Sequence, residues 1–132
     1  MKKILSFSSL ALSFIWLPAQ AELYVTIVQG LGGEPRFEEQ FHEQSRIIAE
    51  ESAALTDDDK IMLFTGEDAT RDNLLQHFSS ISSQMTDADR AAVYLIGHGS
   101  FDGEEYKFNI PGLANSTADI VNIMSGFPGE NH

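Results

Sequence analysis

Three short apolar runs, separated by two stretches of helical period, most constrain what this chain can fold into. Residues 23–28 (LYVTIV), 61–64 (IMLF) and 91–96 (AAVYLI) are rich in β-formers and bounded by turn residues, as suits strands buried in a parallel sheet. Between the first two runs, Phe37, Phe41, Ile48 and Leu55 lie on or near one stripe, with Glu38, Glu39, Glu43 and Glu50 outside it; this predicts an amphipathic helix. Between the second and third, Leu74, Phe78, Ile81 and Met85 recur at spacings of four, three and four. Thr70 stands as N-cap of that helix, with Asp72 in its first turn. Strand, helix, strand, helix, strand predicts a parallel sheet with right-handed crossovers, in a three-layer α/β/α sandwich.

The third run ends abruptly at Gly97-His98-Gly99, followed by Ser100 and Asp102. Open α/β sheets bind ligands just beyond the carboxyl ends of their strands, and the flanking glycines let backbone come close to whatever the imidazole touches. His98 is therefore the first candidate for chemistry, ahead of a strand-ending turn with an incidental histidine. Farther on, residues 105–110 (EYKFNI) alternate and predict one arm of a hairpin, which Pro111-Gly112 ends. Thr117 is expected to cap a short last helix through Met124.

Other motifs carry less. Gly30-Leu31-Gly32-Gly33 follows the first strand but lacks the third glycine of the dinucleotide pattern and the Lys-Ser/Thr of a phosphate loop, so a plain turn is the better reading. His98, Asp102 and Glu104 lie close in sequence, but no second histidine stands at ligand spacing, and no metal or other cofactor is expected. A Ser100 nucleophile lacks the Gly-x-Ser-x-Gly elbow, and Asp102 before Gly103 is expected to fix its own turn. His42 and His77 fall on the helices among polar neighbours and read as surface residues; His132 is the last residue.

Residues 1–21 read as a secretory signal peptide: Lys2 and Lys3, an apolar segment from Ile4 to Leu17, then an Ala-x-Ala site at Ala19-Gln20-Ala21. The apolar segment falls short of the ~20 residues that span a bilayer. Cleavage there would leave residues 22–132 as one domain, with twenty acidic residues against six basic ones and a charge moving from −12 to −14. That surface disfavours nucleic acid and anionic lipid as partners. The expected setting is exported, periplasmic or secreted, with no membrane span after cleavage. The chain has no cysteine, which removes disulfides, thiolate metal sites and a thiol nucleophile together.

Residues 67–99, EDATRDNLLQHFSSISSQMTDADRAAVYLIGHG, resemble the caspase, metacaspase and legumain superfamily of cysteine peptidases. There an Ala-Thr opening precedes an amphipathic helix, and an apolar strand then ends in His-Gly. The first strand, its glycine loop and the following helix (YVTIVQGLGGEPRFEEQF) are similar to the start of exported bacterial legumain-like members, and the likeness runs from about Leu23 to Gly112. The resemblance implies a Cys-His dyad acting on polypeptides. His98 matches the family histidine, and Gly99 the glycine whose backbone N–H helps form the oxyanion hole. Arg36 stands where some members bind a substrate side chain. The departure is the nucleophile: the family cysteine ends a fourth strand, and this chain offers neither. The expectation is thus a caspase-like domain truncated after the third main strand and the hairpin, inactive as given. It would be a fragment of a longer peptidase-like protein or half of a split enzyme; the alternative is a non-catalytic periplasmic module that binds a protein partner.

Overall fold

A computed structural model describes residues 20–112, 115–116, 119, 122 and 124–129. The order is β1 (Leu23–Gln29), α1 (Pro35–Ser52), β2 (Ile61–Phe64), α2 (Arg71–Gln84), β3 (Arg90–Ile96), β4 (Gly99–Phe101), β5 (Tyr106–Phe108) and β6 (Asn115–Ser116). Single 3-10 turns at Asp58–Lys60 and Gly66–Asp68 lead into β2 and α2.

β1 lies at the centre of a parallel sheet ordered β2-β1-β3. Side chains alternate across a strand, and β1 uses both faces. Tyr24 and Val28 join Phe64, Leu74, Phe78, Ile81 and Met85 in one buried cluster on the α2 side. Val25, Ile27 and Gln29 therefore point to the opposite face, where α1 packs along the sheet. Val25, Ile27 and Val28 are fully buried, which is why this run reads as continuously apolar rather than alternating. Each such side chain contributes about 1.5–3 kcal/mol. The three-layer α/β sandwich expected from the sequence is the fold observed.

Local chemistry fixes the helices. Pro35 occupies the first turn of α1, where its missing N–H costs nothing. Arg46 bridges Glu43 and Glu50 on the exposed face, three and four residues apart on one helix side. Thr70 Oγ1 accepts from the Asn73 N–H at 3.3 Å, so the N-cap stands as expected. The stripe through Leu55 does not: α1 ends at Ser52, the Leu55 N–H bonds the Ser52 carbonyl in a closing turn, and Leu55 is 73 % exposed.

The hairpin after Gly97 is present. β4 and β5 pair antiparallel with Ser100 opposite Lys107, and β6 adds a two-residue arm that the alternation did not signal. The leader of residues 1–21 lies outside the described residues except for its last two positions. Thr117 lies outside them too, although Asp119, Asn122 and Met124 have helical backbone. Among the described residues no helix is long and apolar enough to cross a membrane.

Candidate functional site at the carboxyl end of the sheet

β1 and β3 run in register, Gln29 opposite Ile96, so their ends and the hairpin meet at one rim. The Gly30 N–H donates to the Ile96 carbonyl at 2.8 Å, Leu31 N–H to Asn109 O at 2.8 Å, and Asn109 N–H to His98 O at 3.0 Å. These bonds clamp the hairpin across both strand ends. Gly30 and Gly97 make the clamp fit: a Cβ at Gly30 would come within 2.6 Å of the Asn109 carbonyl and 2.8 Å of the Phe108 ring, and one at Gly97 within 3.0 Å of both Gly30 Cα and that ring. Phe108 itself packs against the cluster on the α2 side.

His98 follows Ile96 by two residues and so faces the α1 side. Its half-buried ring meets Phe37 at 4.6 Å and Phe41 at 5.0 Å between centroids, edge-on to each. Among the described residues nothing hydrogen-bonds its ring nitrogens. The two phenyl edges fix the ring in place, a contact the helical stripe contained but the sequence reading did not connect to His98. Arg36 is exposed, bound to Glu34 at 3.0 Å, with its guanidinium 4.3 Å from the Phe37 ring centre. Arg36 and His98 thus pack on the same phenylalanine. The rim gathers both, with Gly99 next in the chain.

The carboxylate of Asp102, four residues after His98, is already engaged. Asp102 Oδ1 accepts from the Glu104 and Glu105 N–H groups at 3.0 and 3.1 Å, and Oδ2 holds Lys107 at 2.6 Å. The Lys107 ammonium, then those backbone donors, hold its carboxyl well below the usual range. Asp102 fixes its turn, as expected. Ser100 Oγ donates to Asn109 Oδ1 at 3.1 Å. Among the described residues no three His, Asp or Glu side chains group to hold a metal ion. The Gly32 N–H, which a phosphate would need, bonds Glu38 Oε1 at 2.6 Å; the chain's own carboxylate fills that place, and the loop is a turn.

Two polar groups escaped the sequence reading. Gln29 is buried on the α1 side beside the rim, and its Oε1 has no hydrogen-bond partner among the described residues. His77 is not the surface residue expected: its Nε2 lies 2.8 Å from Thr26 Oγ1, and its ring contacts Phe64 and Phe78. It falls three residues after Leu74 and four before Ile81, on the buried stripe, and that spacing was the signal available. Burial pushes its pKa down. His42 is exposed on α1, and His132 lies outside the described residues.

Comparison with protein-family models, with curated proteins and with solved structures finds no match to this chain.

Proposed function

We propose that this chain is the histidine-bearing part of an exported caspase- or legumain-like cysteine peptidase domain. In this reading His98 is the general acid–base and the Gly99 N–H an oxyanion donor, while Arg36 contacts a substrate side chain. The observation that carries it is the placement of His98: at the carboxyl end of β3, held by Phe37 and Phe41, with no protein partner on its ring nitrogens among the described residues. An imidazole so held is oriented yet able to exchange a proton with a reacting group. The alternation of the β4–β5 ladder also turns the Gly99 N–H away from β5, where a developing oxyanion can reach it.

The chain has no cysteine, so it forms no thioester by itself and needs a nucleophile from elsewhere in a longer product or from a second chain. The edge of β3 left unpaired by the described residues is where a further strand would carry it. The same absence favours the second reading, a non-catalytic module that binds a polypeptide at this rim. The exported setting rests on the leader sequence of residues 1–21.

The test is to resequence the gene across and beyond the codon for His132 and to assay its product on fluorogenic peptides. An in-frame apolar strand ending in cysteine is expected, with turnover that His98→Ala lowers by about 10²–10⁴-fold. A stop at that codon, or a continuation with another residue at the strand end, together with no turnover when the chain is assayed in extract of its source cells, where a second chain could supply the cysteine, would overturn the peptidase reading and leave the binding module.

A further inference from the structure

The β4–β5 hairpin carries a strand edge that none of the described residues pairs with. Among the described residues β4 pairs with β5 alone, and all three of its residues are exposed. The flanking bonds, Asn109 N–H to His98 O and Asp102 N–H to Glu105 O, fix the phase of the ladder. Ser100 then faces β5, and the N–H and C=O groups of Gly99 and Phe101 point outward. Natural edges are blunted by lysine, proline or a bulge; this one reads Gly-Ser-Phe. The hairpin's lysine, Lys107, sits on the inner strand and is taken by Asp102 and Glu105 at 2.6 and 3.7 Å.

Beside that edge the Phe101 and Tyr106 rings lie 4.7 Å apart and are 56 % and 67 % exposed. They share the hairpin face that carries Phe108 inward to the core, so the apolar face continues past the rim as an aromatic ledge. The turn joining the strands holds Asp102, Glu104 and Glu105 against the single cation Lys107, in a chain of net charge −12.

We propose that β4 is a docking edge for an extended, cationic polypeptide segment, which adds as a strand through the Phe101 N–H and C=O and the Gly99 C=O, lays an apolar side chain on the Phe101–Tyr106 ledge and turns Lys or Arg toward the acidic turn. Main-chain bonds supply affinity in this mode, and the alternate side chains supply selectivity. Charge decides the occupant. A second copy brings the same acidic turn and is repelled, whereas a basic segment is attracted. The inference deepens the polypeptide-partner element of the proposed function and rests on it only in placing the segment beside His98; docking requires no cleavage.

Fluorescence anisotropy tests it with a labelled ten-residue peptide of alternating lysine and valine carrying one central phenylalanine, titrated with the full chain. Binding is expected, weakening with added salt. It should fall at least tenfold for the same peptide N-methylated at alternate amides, for the version with glutamate in place of lysine, and for the Phe101→Ala chain. Equal binding of the N-methylated and parent peptides, or of the acidic and basic ones, would overturn the proposal. So would absence of binding, or sedimentation showing the edge consumed by a second copy. Peptidase activity enters none of these readouts, so the two proposals fail separately.

Discussion

At the scale of single residues, Thr26 and His77 show how a polar pair can join a helix to the middle of a sheet. Thr26 is buried on the central strand, and His77 reaches it from α2 between two phenyl rings. Desolvation is the one cause acting on the imidazole, and it favours the neutral form. The folded-state pKa therefore lies below the unfolded one, near 6.5. Stability from this group is complete above the unfolded value and is lost as pH falls toward the folded one, because the unfolded chain takes up the proton first. Urea unfolding at pH 7.5 and 5.5 should show wild type losing more than His77→Gln; equal losses would mean His77 does not titrate this way. The carboxylate Asp102, held low by Lys107, acts only in far more acidic solution. Why the sequence hid His77 is plain at this scale. A histidine beside Gln76 looks solvated until its spacing to Leu74 and Ile81 is given more weight than its polarity.

At the scale of elements, three strands and two helices were legible because each carries its own period. β1 is apolar on both faces, α2 announces its start with Thr70, and the hairpin shows in the alternation of residues 105–110. What was not legible depends on distant partners. β6 is two residues long and exists only through Lys107 and Phe108. The end of α1 at Ser52 is set by a local turn that no glycine marks. The rim likewise arises where separate elements meet: Phe37 and Phe41 come from α1, His98 from the end of β3. The hairpin is seated through glycine, so Gly30→Ala should drive a Cβ into the Asn109 carbonyl and the Phe108 ring. That overpacking is expected to cost about 1–3 kcal/mol, read as a lower midpoint in thermal unfolding; an unchanged midpoint would mean the hairpin sits more loosely than described.

At the scale of the whole molecule, both edges of the sheet are unpaired among the described residues, and both are apolar, with Met62 of β2 43 % exposed. Among the described residues β3 pairs with β1 alone and leaves Tyr94 and Leu95 exposed at 42 % and 39 %. Unpaired apolar edges invite association, opposed here by the chain's negative charge, which salt screens. Leu95→Lys is expected to keep the fold and to lower light scattering at 0.5 M salt relative to wild type; no difference would place self-association elsewhere. Access to the other end of the molecule is a matter of direction. Phe108, seated on Gly30 and Gly97, plugs the carboxyl end of the sheet from the α2 side. On the other side the opening turns of α1 bring Phe37 against the His98 ring and Arg36 against Phe37, so an approaching group meets them there. Substitutions in that one helical turn can therefore change the surroundings of His98 without disturbing a single strand.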